Sequence, residues 1–151
     1  MNNSRDISTL NSLIATTIDS VDGYAEAAKD ADSSRFSTIF SERSAERRSV
    51  LTMLQAEVSR LGGDPEDDGT VLAGAHRMFL NLKSVVTGND DKAIVDEVER
   101  GEDHIKAKFE EALNDQALAP EVATVIRECF VSVKTGHDQM RDIKHSIEGK
   151  I

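Results

Sequence analysis

The histidines and their neighbours test whether the chain can hold a pair of metal ions. Helical bundles with a carboxylate-bridged metal pair take one carboxylate from each of two helices and a Glu-x-x-His pair from each of the other two. The four histidines are His76, His104, His137 and His145, and the residues three positions before them are Ala73, Gly101, Lys134 and Asp142. Only Asp142 and His145 approximate the motif, and they fall in the last turns of the sequence. We therefore expect no intact di-iron site and no oxidase chemistry that depends on one.

A smaller metal site is a candidate. Glu99 and Glu102 are three residues apart, and Glu102 falls close to the apolar stripe of its segment. His137 and Asp19 border the stripes of two other segments. Carboxylates and an imidazole that meet between helices can bind one divalent cation such as iron, manganese or zinc, with water completing the shell. The candidate metal ligands are therefore Glu99, Glu102, His137 and Asp19.

The same groups can instead satisfy one another in a buried network of hydrogen bonds and ion pairs. Such a network needs a cation, and Arg47 and Arg77 are the candidates. Tyr24 flanks the stripe of the first segment, and His76 lies on an apolar stripe where a packed histidine is more common than a ligand. Arg77 can reach Glu99 or Glu102 if its segment lies across the third long helix. We favour this structural polar centre over a metal site.

Glycines within the predicted helices favour a tightly packed centre. Gly23, Gly74, Gly101 and Gly136 each cost roughly 1 kcal/mol relative to alanine in a helix interior, so a compensating interaction is expected. Gly101 and Gly136 directly neighbour Glu102 and His137 in the sequence. They make room either for a ligand or for a bulky side chain such as Arg77 or Tyr24. We favour close packing of polar groups over a ligand cavity.

Helices must position these residues, because apolar residues recur every three or four positions throughout the chain. We predict long helices over about 6–30 and 34–61, a third after a cap at Asn89 or Asp90, and a fourth from Pro120. A shorter amphipathic segment from Val71 ends at Gly88. No segment alternates strictly, so no strand is expected. The prediction is an all-α single domain over residues 1–151.

The short segment decides the topology. If it crosses the length of the bundle, the second and third long helices run parallel, as in bundles with one crossover connection. A five-helix array with short turns is the alternative arrangement.

Four runs of residues carry a resemblance to a known family. They are Asp19-Ser20-Val21-Asp22-Gly23-Tyr24, Gly62-Gly63-Asp64-Pro65, Gly74-Ala75-His76-Arg77 and Glu99-Arg100-Gly101-Glu102-Asp103. In this order and spacing the chain resembles an uncharacterised bacterial family of small ferritin-like four-helix-bundle proteins. The resemblance implies a four-helix bundle with a short crossover helix, a bacterial source and an association with stress responses. It implies no reaction, since the family is known mainly as a domain of unknown function.

Composition and charge exclude several classes of protein. The formal net charge of −10 argues against binding of nucleic acid or anionic lipid, because both require basic surfaces. The lone Cys129 cannot form an intramolecular disulfide, which is compatible with the reducing cytoplasm. No stretch of about 18 apolar residues exists, and the first residues do not read as a secretory signal. We expect a cytoplasmic protein.

About half of the net charge lies in one stretch, which bears on partners. Seven carboxylates fall between Asp90 and Asp103, against only Lys92 and Arg100. This stretch can dock a basic protein partner or attract cations. An exposed apolar stripe on the short segment can also support a homodimer. We expect a non-enzymatic protein that acts in stress or by interaction, with a metal-binding bundle as the alternative.

Overall fold

A computed structural model of the chain describes residues 3–68 and 91–148. It contains the helices α1 (Ser4–Asp30), α2 (Ser34–Arg60), α3 (Asp91–Leu113) and α4 (Pro120–Glu148). The prediction of four long helices is confirmed, and no strand occurs in the two described stretches. The short crossover helix, predicted to end at Gly88, lies outside the described residues. So do His76 and Arg77.

Local signals in the sequence explain where the helices begin and end. The Ser33 hydroxyl accepts hydrogen bonds from two backbone N–H groups in the first turn of α2, at 3.2 and 3.4 Å. After α2, Gly62 adopts a φ of 86°, which favours glycine, and the N–H of Gly63 donates to the Val58 carbonyl at 3.0 Å. Pro120 opens α4, where its missing N–H leaves no helical hydrogen bond unmade.

Contacts at the helix ends fix the directions of the helices. A three-residue connection makes α1 and α2 antiparallel. Arg5, at the start of α1, binds Asp115, just after α3, at 3.0 Å. The carboxylate of Asp91, at the start of α3, accepts a hydrogen bond from the backbone N–H of Ser33 at 2.8 Å. Helices α2 and α3 therefore begin at the same end of the bundle and run parallel, the arrangement predicted for one long crossover.

The core consists of two apolar clusters, one toward each end of the bundle. The first cluster contains Leu10, Leu13, Ile14, Val50, Leu54, Val58, Ile105, Phe109, Ala112, Leu118, Val122, Ile126, Cys129 and Val133. The second cluster contains Tyr24, Ala27, Phe36, Phe40, Ile94, Val95, Val98, Met140 and Ile143. All four helices contribute to both clusters. No helix in the described stretches combines the length and apolar character that a membrane span requires.

Leu54 and Met53 test the first cluster, since they are adjacent on α2 but only Leu54 is fully buried. We expect Leu54→Ala to lower the free energy of unfolding by about 2–5 kcal/mol, because it removes buried methyl groups and leaves a cavity. Met53 is 40% exposed, so Met53→Ala should change it by no more than about 0.5 kcal/mol. Urea unfolding followed by circular dichroism measures both. Equal losses in the two variants would contradict the packing.

Candidate functional site

A layer of polar residues separates the two apolar clusters. It comprises Ser20 of α1, Ser44 and Arg47 of α2, Glu102 of α3 and Gly136 of α4, all of them buried. Each occupies a position between residues of the first and second clusters on its own helix. Burying polar groups costs free energy unless they bind one another, so the contacts within this layer decide whether the bundle is stable.

Arg47 of α2 is fully buried and contacts each of the three other helices. Its Nη1 donates to Ser20 Oγ of α1 at 2.7 Å. Its Nη2 donates to Glu102 Oε1 of α3 at 2.7 Å and to the Val133 carbonyl of α4 at 3.3 Å. The guanidinium carbon also lies 5.6 Å from the centre of the Tyr24 ring, within the range of a cation–π contact. The charge of Arg47 is thus balanced by one carboxylate and by fixed dipoles in place of water.

Tyr24 binds the second carboxylate oxygen of Glu102. Its hydroxyl donates to Oε2, so both oxygens of this carboxylate accept hydrogen bonds from neighbouring side chains. Burial, and then the negative charge of Glu102, raises the pKa of Tyr24 well above its usual value, although Arg47 acts in the opposite direction. Burial acts to lower the pKa of Arg47, but the charge of Glu102, the hydrogen bond to Glu102 and the influence of Tyr24 and Glu46 together outweigh it, and the pKa is raised. The cluster therefore holds a protonated phenol and a charged guanidinium.

Gly136 provides the space that the guanidinium occupies. A Cβ at this position would lie 2.6 Å from Arg47 Nη2 and 3.0 Å from Arg43 Nη1. The sequence suggested Arg77 or Tyr24 as the bulky neighbour, whereas two arginines of α2 fill the space. Arg43 Nη1 and Arg47 Nε are buried and have no hydrogen-bond partner among the described residues. Positive charge, not an open ligand cavity, lies against Gly136.

A second group of side chains lies between α3 and α4, nearer the surface. Glu99, Asp103 and His137 each offer a ligand atom within 4.8 Å of the others, and we call them the α3–α4 cluster. His137 Nε2 lies 2.7 Å from Asp103 Oδ1, and His137 Nδ1 lies 3.3 Å from Asp138 Oδ1. Glu99 Oε1 also lies 3.4 Å from Lys144 Nζ. The arrangement can balance charge by itself or bind a cation.

The candidate metal ligands are divided between these two places. Glu99 and His137 meet in the α3–α4 cluster, whereas Glu102 points into the polar layer and pairs with Arg47. Asp19 is buried on α1, and its charge acts on His104, opposing the lowering of that histidine's pKa by burial and by Lys108.

The other residues of the expected polar centre also have definite places. Tyr24 and Arg47 contact Glu102, and Gly136 packs against Arg47. Gly101 is buried on α3, beside Glu102 in sequence.

Sequence reasoning missed Ser20 and Ser44 in the polar layer, and Asp103 and Asp138 at the α3–α4 cluster. Asp103 follows Glu99 by four positions, and this spacing places both on the same side of a helix. The four-residue spacing of Glu99 and Asp103 therefore indicated that Asp103 belongs to the α3–α4 cluster. Asp138 directly follows His137, and adjacent residues of a helix do not normally face each other. Nothing in the sequence distinguishes Ser20 from the other hydroxyl residues of α1.

The acidic stretch of α3 is largely engaged within the chain. Each of its six described carboxylates has an internal partner. Asp91 accepts from the backbone of Asp32 and Ser33, and the other contacts are Asp96 with Lys92, Glu97 with Arg100, Glu99 with Lys144, Glu102 with Arg47 and Asp103 with His137. The basic protein partner and the homodimer stay predictions.

Cys129 is a packing residue of the first cluster. Its side chain is buried among apolar groups. Burial, and then the charge of Glu128, raises the pKa of the thiol to about 12. Because the thiolate is the nucleophilic form, these surroundings make Cys129 a poor nucleophile at neutral pH.

Gly136→Ala tests the close approach of the guanidinium. An ordinary glycine-to-alanine change within a helix stabilises it by roughly 1 kcal/mol. Here the new methyl group collides with a guanidinium held by Ser20 and Glu102, so we expect a loss of about 1–3 kcal/mol. Thr135→Ala, at the exposed neighbouring position, is the control and should be nearly neutral. Chemical denaturation measures both, and a stabilised Gly136→Ala variant would contradict the contact.

Alkaline unfolding tests the raised pKa of Tyr24. In the unfolded chain a tyrosine loses its proton near pH 10, whereas the buried phenol keeps it to higher pH. The unfolded state then binds fewer protons, so above about pH 10 the free energy of unfolding falls as pH rises. We expect a shallower fall for Tyr24→Phe, because both proteins share every other titrating group. Urea titrations between about pH 8 and pH 11 measure this, and parallel curves would refute the assignment.

One family of proteins matches most of the chain. Its sequence model, described as a domain of unknown function (DUF2383), covers residues 5–115. This range contains Tyr24, Arg47 and Glu102, while His137 and Gly136 lie beyond it. No curated protein matches the chain. Because the matched range extends over well more than half of the 151 residues, the chain belongs to the DUF2383 family.

Proposed function

We propose that the protein is a non-enzymatic, ferritin-like helical bundle that acts by interaction, in the stress responses of a bacterial cytoplasm. Two features support the ferritin-like part. Helices α2 and α3 run parallel and are joined by one long connection, which is the topology of ferritin-like bundles. The sequence runs that carry the resemblance include Glu102 and Tyr24 of the polar layer and its neighbourhood. The buried free thiol of Cys129 fits a reducing compartment.

One observation carries the non-enzymatic part of the proposal: a guanidinium stands at the centre of the bundle. Carboxylate-bridged metal centres of helical bundles place two cations among inward-pointing carboxylates. Here Arg47 supplies a positive charge at 2.7 Å from Glu102, and Tyr24 takes the other oxygen of the same carboxylate. The positive charge at this centre is therefore the side chain of Arg47.

Electrostatics argue against adding a metal ion to that centre. A divalent ion bound to Glu102 would lie close to the Arg47 guanidinium, and like charges repel strongly where water is excluded. Displacing Arg47 would leave a buried charge without its partner, which typically costs about 3–5 kcal/mol. Arg43, which also acts on Tyr24 electrostatically, adds further positive charge. A metal-binding bundle that uses Glu102 and Asp19 is therefore the less favoured function.

Aerobic oxidation of Fe(II) tests this proposal. A bundle with a working di-iron centre consumes oxygen and accelerates the conversion of Fe(II) to Fe(III). We expect the wild-type chain to leave the rate at that of buffer alone, because Glu102 is engaged by Arg47 and Tyr24. Absorbance of Fe(III) and an oxygen electrode measure the rate, with protein purified without chelators.

Two variants show whether any acceleration of Fe(II) oxidation depends on Glu102. Glu102→Gln removes the buried carboxylate charge, and Glu110→Gln changes an exposed carboxylate on the same helix. An accelerated wild-type rate that is lost in Glu102→Gln but kept in Glu110→Gln would overturn the proposal. The wild-type measurement is decisive even if Glu102→Gln folds poorly.

A further inference from the structure

The α3–α4 cluster has the composition and geometry of a cation site. We propose that Glu99, Asp103 and His137 bind a single divalent transition-metal ion at the surface between α3 and α4, with water in the remaining positions. This goes beyond the proposed function, because the site lies outside the polar layer and uses none of its residues. The site contains two oxygen ligands and one nitrogen ligand.

The spacing of the ligand atoms suits one ion. Glu99 and Asp103 are separated by one helical turn, so both carboxylates project toward α4, where His137 faces them. Metal–ligand distances of about 2.0–2.2 Å place neighbouring ligands roughly 3–4 Å apart in tetrahedral or octahedral sites. The three atoms already lie within 4.8 Å of one another, and Nε2 and Oδ1 are 2.7 Å apart. Small rotations of the Glu99 and Asp103 side chains would bring all three ligand atoms to the separations that one ion requires.

The second ring nitrogen of His137 is held by a carboxylate, as in most histidine ligands of metals. Nδ1 lies 3.3 Å from Asp138 Oδ1, and a carboxylate in this place fixes the ring and its tautomer. The Nδ1–H then donates to Asp138, and Nε2 is left facing Asp103 and Glu99. An ion at Nε2 would lie between this nitrogen and the Asp103 carboxylate.

Charge and exposure allow an ion to reach the cluster. Glu99 and His137 are mostly buried, at 16% and 12% side-chain exposure, whereas Asp103 is 58% exposed and opens the cluster to solvent. Lys144 Nζ lies 3.4 Å from Oε1 of Glu99, and Oε2 of the same carboxylate is the oxygen proposed to bind the ion. Lys134 and Arg141 form their ion pairs with Asp138, at 3.1 and 3.4 Å. A divalent ion would balance the charges of Glu99 and Asp103, which lie on the same helix and both face His137.

The mixed ligand set selects a class of metal. Calcium and magnesium prefer shells made entirely of oxygen, while imidazole together with carboxylates suits zinc, manganese, iron and cobalt. Glu66, Asp67 and Asp68 form another acidic group, but they are successive loop residues without an imidazole, and we assign no site to them. An ion in the α3–α4 cluster would join the two helices of that hairpin.

Titration of the full chain with Zn²⁺ and Co²⁺ tests the site. Isothermal calorimetry measures stoichiometry and affinity, and the visible bands of Co²⁺ report on its ligands. We expect one ion per chain, and at least a roughly tenfold weaker affinity in both Asp103→Asn and His137→Ala. His145→Ala is the matched control, because it removes an exposed imidazole from the same helix and should bind as the wild type does.

The outcomes separate this site from the proposed function. Absence of saturable binding by the wild type overturns the inference, and so does His137→Ala or Asp103→Asn binding as tightly as the wild type. Asp103→Asn keeps the size of an exposed side chain, so it gives an answer even if His137→Ala folds poorly. Zn²⁺ and Co²⁺ binding is measured separately from Fe(II) oxidation, and Glu102, which the oxidation assay varies, is not a member of the α3–α4 cluster. The two proposals therefore fail independently.

Discussion

The need to pair one buried guanidinium governs this bundle. A charge out of water is costly unless hydrogen bonds and an opposite charge surround it. Arg47 meets that requirement only when Ser20, Glu102 and the Val133 carbonyl, from three other helices, all lie at one level. A shift of α3 by one turn, about 5.4 Å, would carry Glu102 out of reach of the guanidinium. The polar layer thereby specifies the register of all four helices, which apolar packing alone specifies less sharply.

The sequence predicts the four long helices, but it does not predict which polar side chains bind one another between them. Apolar residues repeat with helical spacing, and Ser33, Gly62 and Pro120 mark helix ends by local chemistry, so boundaries can be read along the chain. Whether Glu99 or Glu102 faces Arg47 depends on the rotation of α3 about its axis. Side chains three residues apart differ by only about 60° around a helix, and a sequence does not fix rotation that finely.

The carboxylates of α3 have several different roles, which the net charge of the chain does not distinguish. Asp91 binds the turn before α2, Glu102 neutralises a buried arginine, and Asp103 faces a histidine at the surface. An exposed pair such as Asp103 with His137 stabilises a protein by less than about 1 kcal/mol. The buried pair of Glu102 and Arg47 is much more costly to break. The net charge of −10 therefore says little about which carboxylates matter, and burial says much more.

The division of the core has a consequence for how such sequences diverge. Side chains of the first and second apolar clusters are separated by the polar layer, so a change of volume in one cluster is absorbed mainly by its own members. Phe109 and Phe40 lie in different clusters, and compensating substitutions for either should arise on its own side of Arg47. Relatives can thus exchange apolar residues in two separate compartments while the layer between them stays chemically constant.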